Sequence, residues 1–230
     1  MIVGIIGAMD EEIELLKSSM EIEKEETIAG SIFIKGTLKG QPVVLLKSGI
    51  GKVNAAMSTT ILHERFSPDY VINTGSAGGF AAELNVGDLV ISEKIVHHDV
   101  DVTAFDYDYG QVPKLPTYYE GDTKLISLAI NVAKQMDVNT VTGLIATGDS
   151  FMSDQDRVNF VREKFPDLKA AEMEAAAIAQ VCYQYKTPFV IIRALSDIAG
   201  KDSSVSFDQF LDTAAKNAAT LIIDMVKDLA

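Results

Sequence analysis

Residues 70–79 read Tyr70-Val71-Ile72-Asn73-Thr74-Gly75-Ser76-Ala77-Gly78-Gly79, an apolar run that breaks into a glycine-rich turn. Apolar residues without polar alternation, ended by glycine, predict a strand buried on both faces. The pattern recurs on either side: Ile2-Val3-Gly4-Ile5-Ile6 stops at Gly7, and Phe189-Val190-Ile191-Ile192 continues to Ala194. Helical periodicity fills the spaces between such runs, at 10–19 with Ile13, Leu16 and Met20 on one face, at 52–65, at 122–136 and at 174–185. Ser153-Asp154-Gln155-Asp156 reads as a capping box opening another helix, and Ser206 with Gln209 opens the last one. Residues 31–37 and 42–47 predict a hairpin about Lys39-Gly40-Gln41, and 88–92, 94–98, 141–147 and 169–172 predict further strands. Strands alternating with helices, with hairpin elements among them, predict an α/β fold whose mixed sheet is covered on both faces. With no linker or internal repeat, residues 1–230 are expected to form one domain.

Composition narrows the function. The 230 residues are 47% hydrophobic and 23% charged, an ordinary globular balance. The formal net charge is −13 and the 20 Lys and Arg are scattered, which argues against nucleic acid as a partner, since such binding needs a basic stripe. No apolar run is long enough to span a bilayer, and the start, MIVGIIGAMDEE, turns acidic where a secretory signal needs a basic head. A cytoplasmic protein without a membrane partner is expected. The lone cysteine, Cys182 in AAAIAQVCYQY, is expected to be a buried small hydrophobe.

Ligands of open α/β sheets sit at the carboxyl ends of strands. Four stretches occupy such places: Asp10-Glu11-Glu12, Thr74 to Gly79, Glu172-Met173-Glu174, and Arg193-Ala194-Leu195-Ser196-Asp197. Each has a plain structural reading beside the chemical one. Acids favour the first turn of a helix, glycines make tight turns, and Arg193 can pair with Asp197 or Asp197 can cap a helix. His97 and His98 are adjacent in a predicted strand and so face opposite ways, and His63 stands alone on a helix. Carboxylates are thus the credible acid–base groups, and they point to an enzyme acting on a polar small molecule.

Seven stretches carry a resemblance: GIIGAMDEEIELL, LKSGIGKVNAA, INTGSAGGF, HDVDVTAFDYDYGQVP, ATGDSFM, AEMEAAAIA and RALSDIAG. In this order and spacing, from residue 2 to the last helix, they resemble the bacterial 5′-methylthioadenosine/S-adenosylhomocysteine nucleosidases. That resemblance implies a nucleoside phosphorylase-like fold, with a central mixed β-sheet partly closed into a barrel and surrounded by helices. It implies hydrolysis of the N-glycosidic bond of methylthioadenosine and S-adenosylhomocysteine, extending to 5′-deoxyadenosine, without metal or organic cofactor.

The resemblance also assigns roles. Glu12 matches the general base that activates water, and Asp197 the acid that protonates adenine N7. Glu174 matches the residue that binds the ribose hydroxyls, with Met173 beside the sugar. Ser76 and Arg193 match neighbours that order the water and the acidic groups, and Gly78 and Ser196 fall in the same matching stretches. Phe151 matches the ring stacked on adenine, with backbone groups of Phe151 and Met152 reading its edge. Met9, Ile50 and Phe207 match the apolar wall. A homodimer is implied whose partner lends Val102, Phe105 and Pro113 to the 5′ pocket, giving the long aromatic segment 99–121 a purpose. Related phosphorylases hold phosphate with arginines where this chain has Asp10-Glu11-Glu12 and Asn73-Thr74, so water is the expected nucleophile. The competing readings are a phosphorylase, an aminodeoxyfutalosine-type hydrolase distinguished by its 5′ pocket, and a non-catalytic nucleoside-binding protein.

Overall fold

The computed structural model of the chain describes residues 1–201 and 203–229. The chain runs β1 (Val3–Gly7), α1 (Asp10–Ser18), β2 (Met20–Ile28), β3 (Ser31–Leu38), β4 (Gln41–Lys47), α2 (Lys52–Phe66), β5 (Tyr70–Asn73), β6 (Ser76–Gly79) and β7 (Leu89–His97). It continues through a 3₁₀ turn (Thr103–Phe105), β8 (Tyr119–Glu120), α3 (Thr123–Ala133), β9 (Thr140–Thr147), α4 (Gln155–Lys164), β10 (Leu168–Glu172), α5 (Ala175–Tyr185), β11 (Phe189–Ile198) and α6 (Ser203–Asp228).

The strands form one mixed sheet in the order β2-β3-β4-β1-β5-β11-β6-β10-β9-β7-β8. Its apolar parallel strands, β4, β1 and β5, lie side by side as their unbroken hydrophobic runs require. β11 then turns the open sheet into a closed one. Phe189–Ile191 pair with β5, Ile192–Ala194 pair antiparallel with β7, and Ala194–Ile198 pair with β6. The β11–β7 contact joins β11, β6, β10, β9 and β7 into a barrel of five strands. The fold is therefore α/β with a mixed sheet, partly closed and wrapped by helices.

Side-chain alternation splits the core between the two faces. Ile5, Val43, Ile72 and Ile192 pack with Ala214, Ala218, Leu221, Ile222 and Met225 of α6. Their neighbours Ile6, Val44, Val71 and Ile191 pack with Ala55 and Leu62 of α2 and with Ala175 to Ala179 of α5. Cys182 is buried in this second face, as expected, and burial pushes its thiol pKa up. Among the described residues no helix is long and apolar enough to cross a membrane.

Several elements differ from the sequence reading, each for a physical reason. β2, MEIEKEETI, was not expected as a strand, because its charges leave almost no apolar alternation; β3 holds it as an edge through antiparallel pairing. Residues 76–79 form β6 instead of a free turn, since β10 and β11 pair with their backbone. The two strands expected at 88–92 and 94–98 are one, β7, with a bulge at Glu93 that leaves Glu93 and Lys94 both exposed. The hairpin turn is the pair Lys39-Gly40, at φ 51° and 81°, with Gln41 already in β4. α4 is capped by Asp154, not Ser153, through the Arg157 N–H at 2.8 Å. α6 is already helical at Ser203; the Ser206 hydroxyl instead donates to the Ser196 carbonyl at 2.9 Å, tying the helix to β11.

Candidate active site

α1 follows β1 directly, and its first turn sends three acids in three directions. Asp10 pairs with Lys47 at 2.8 Å and Glu11 is exposed, whereas Glu12 folds back over the strand end and is 3% exposed. Its Oε2 accepts the N–H groups of Ala8 (2.7 Å) and Met9 (3.3 Å). Its Oε1 accepts the N–H (2.9 Å) and the hydroxyl (3.1 Å) of Ser76. Ser76 gets this close because Gly75 precedes it: a Cβ there would collide with the Arg193 guanidinium and sit 2.8 Å from Glu12 Oε1. The glycine-rich stretch thus admits charged side chains against its backbone, and its Ser76 N–H is taken by a carboxylate.

β10 ends at Glu172, and α5 begins just beyond Glu174. Glu172 Oε2 accepts the N–H groups of Glu174 and Ala175, both at 2.9 Å, so it caps the helix across the junction. Thr147 donates its hydroxyl to Oε1, and Arg193 donates Nη2–H to Oε2. Burial works to raise the Glu172 pKa, but the Arg193 charge and these hydrogen bonds outweigh it and hold it below the ordinary value. Among the described residues the Glu174 carboxylate has only the Gly51 N–H at 2.9 Å and a 3.7 Å approach of Arg193. Burial first, then the Glu172 charge, push its pKa up to about 8. Two carboxylates two residues apart are therefore pushed in opposite directions from the ordinary carboxylate value.

Asp197 lies near the end of β11, beyond a register shift that leaves Ser196 as an extra residue. Such a bulge re-aims the side chain that follows. Asp197 is 2% exposed and accepts the Ser196 hydroxyl at 2.9 Å. Burial raises its pKa to about 6, against the opposing pull of that hydroxyl. The Arg193–Asp197 pair that sequence left open does not form. Arg193 donates to the Thr74 carbonyl (2.7 Å) and to Asn73 Oδ1 (2.8 Å) as well as to Glu172, so its fork is used beneath the site.

These strand ends surround a cavity of about 360 Å³. Met9, Glu12, Ile50, Ser76, Gly78, Phe151, Met152, Met173, Glu174, Ser196, Asp197 and Phe207 line it. So do Ala8, Glu172, Ser204 and Asp208, and no lysine or arginine does among the described residues. Phe151, 42% exposed, meets Phe207 edge to face with ring centroids 5.8 Å apart. The Met152 carbonyl is engaged by the Gly200 N–H at 3.1 Å, which leaves it one further lone pair. Val102, Phe105 and Pro113 stand apart from the cavity, and Phe105 is 74% exposed. Sequence reasoning gave no part to Thr147 or to the Gly51 N–H, and gave Asn73 none as a partner of Arg193; nothing in a lone threonine, glycine or asparagine marks it before the chain folds.

Comparison with known proteins decides the family. The phosphorylase superfamily profile matches residues 2–227. The 5′-methylthioadenosine/S-adenosylhomocysteine nucleosidase of Oceanobacillus iheyensis is 64% identical over 229 residues, covering 100% of both chains. The chain belongs to the 5′-methylthioadenosine/S-adenosylhomocysteine nucleosidases of that superfamily. Solved nucleosidases of this family share its whole architecture. The Neisseria meningitidis enzyme, in complex with methylthio-immucillin-A, superposes with a TM-score of 0.97 at 49% identity over 99% of each chain. The Colwellia psychrerythraea nucleosidase, in complex with adenine, also gives 0.97 at 49% identity, over 100% of this chain and 96% of its own.

Proposed function

We propose that the chain hydrolyses the N-glycosidic bond of 5′-methylthioadenosine and S-adenosylhomocysteine, and of 5′-deoxyadenosine, releasing adenine and the 5′-substituted ribose. The observation that carries water, not phosphate, as the nucleophile is the cavity wall: among the described residues it holds Glu12 and four further acids and no facing cation. A phosphate there would face the Glu12 carboxylate with no cation on the wall to receive it among the described residues. In the reaction, the C1′–N9 bond breaks and its electron pair goes to the purine. Asp197 gives its proton to adenine N7, so the base leaves neutral. A water adds its oxygen to C1′ of the oxocarbenium-like sugar and gives a proton to Glu12. Of the four donors on Glu12, only the Ser76 hydroxyl can rotate. Turned toward the water, it frees an acceptor site on Oε1 for that proton. Glu174 engages the ribose hydroxyls, Met173 packs beside the sugar, and Phe151 stacks on the purine.

The working form is read as a cytoplasmic homodimer. Exposed Phe105, with Val102 and Pro113, lies on a segment that stays clear of its own cavity, which fits a wall lent to a second copy. The test of the reaction is adenine release from methylthioadenosine in phosphate-free buffer, beside a Glu12→Gln variant. Rapid release by the parent and loss of about a hundredfold or more in the variant is the expected result. Release only after phosphate is added would make the enzyme a phosphorylase.

A further inference from the structure

Three residues outside the cavity wall tie its rim together. Lys52, the first residue of α2, donates Nζ–H to Asp99 Oδ1 at 2.6 Å and its backbone N–H to Asp149 Oδ1 at 2.8 Å. The Asp149 N–H donates to the other oxygen of Asp99 at 3.0 Å, closing a ring between the start of α2, the end of β7 and the loop after β9. The next residue back, Gly51, donates its N–H to Glu174 Oε1 at 2.9 Å inside the cavity. Gly51 has φ 94°, and a Cβ there would lie 3.2 Å from Asp149 Oδ1, so the turn is shaped to receive that carboxylate. Ile50, on the cavity wall, is held from behind by Asn54 Nδ2 on its carbonyl at 2.7 Å. On the other side of the ring, Asp149 is two residues from Phe151.

Resting on the nucleosidase reading above, we propose that Lys52, Asp99 and Asp149 are positioning residues that fix the spacing between the ribose and purine ends of the substrate site. The ring holds the Ile50-Gly51 turn, and with it the backbone partner of Glu174, against the loop that carries Phe151. Its ion pair is partly exposed, with side chains 20% and 29% accessible, so it adds little to stability and its effect is geometric. A fragment that fills one end settles against that end alone. A nucleoside spans both and needs the spacing.

The experiment compares methylthioadenosine with adenine in the parent and in Asp149→Ala, Asp99→Asn, Lys52→Met and Lys52→Arg. KM is measured for methylthioadenosine and the inhibition constant for adenine, with calorimetric dissociation constants for adenine on the same proteins and for methylthioadenosine on each of them carrying Asp197→Asn to block turnover. The expected result is nucleoside binding weakened about tenfold by Asp149→Ala and Lys52→Met, kcat changed less than KM, and adenine affinity changed less than about twofold. Lys52→Arg, which keeps the charge pair, restores most of the nucleoside affinity. Equal weakening of both ligands, or none, overturns the proposal. Parent protein that binds methylthioadenosine without releasing adenine would instead fail the hydrolase reading, while the calorimetric comparison still decides the spacing role.

Discussion

Asp197 shows how one residue serves chemistry at the expense of stability. In the unfolded chain it ionises at the ordinary value of 3.8, and in the folded protein at about 6. Below the lower value the side chain is neutral in both states and costs nothing. As pH rises between the two, the folded state keeps a proton that the unfolded state has lost. Stability therefore falls, and above about 6 the full difference of roughly 3 kcal/mol is felt. Asp197→Asn is expected to raise Tm at pH 8, with the gain vanishing at pH 3.5; an equal gain at both would deny burial as the cause. The same variant loses the proton donor, and kcat is expected to fall by about 10² to 10⁴. For the parent, kcat/KM should decline as pH rises above about 6, where the free enzyme loses that proton. Glu174, pushed up to about 8, extends the stability loss toward alkaline pH. Glu172 works in the opposite direction: its lowered pKa is a contribution present at neutral pH and lost as acid protonates it.

At the scale of elements, the site depends on how α5 is started. Its first N–H groups, from Glu174 and Ala175, are accepted by Glu172, and that of Ala176 is accepted by Thr147 Oγ1 at 2.8 Å. The Thr147 hydroxyl also donates to Glu172, so one side chain from β9 braces both the helix end and the buried carboxylate. Thr147→Val keeps the shape and removes both bonds. Urea denaturation is expected to register a loss of about 1–3 kcal/mol, with Met173 and Glu174 less well held and KM for the nucleoside raised. A variant as stable as the parent would show that water replaces the hydroxyl. The bulge in β11 plays a comparable part for Asp197, since strand alternation alone would leave the residue after Ser196 aimed elsewhere.

For the whole molecule, the exposed aromatic segment is where the proposed dimer is tested. Sedimentation is expected to give twice the 24.9 kDa of one chain. Phe105→Ala is expected to raise KM for methylthioadenosine several-fold while leaving the far-UV spectrum unchanged, because the ring lies outside its own cavity and outside the core. A monomer with an unaltered KM would remove the partner from the 5′ pocket. The formal charge of −13 acts at this scale too, favouring solubility and repelling polyanions, without bearing on which fold forms.

The sequence by itself determined the alternation of buried strands and helices, because a strand apolar on both sides and an amphipathic helix each write their period into the chain. It also placed the charged stretches 10–12, 172–174 and 193–197 at strand ends, since charge that terminates an apolar run stands out against it, and the family resemblance singled out Glu12, Glu174 and Asp197 within them. β2 and β6 were not legible: one is held by backbone pairing at an edge, the other by pairing of small residues inside the barrel, and neither needs a side-chain pattern. The closure of the sheet was legible only through the family resemblance and not in any residue pattern, for it depends on β11 meeting β7 across a long separation in sequence. Only the tertiary structure decided which of three adjacent acids turns inward, that Arg193 joins Glu172 and not Asp197, and that burial pushes Asp197 up to about 6 and Glu174 up to about 8. Those outcomes are fixed by desolvation and by neighbours from distant segments, and neither exists until the chain has folded.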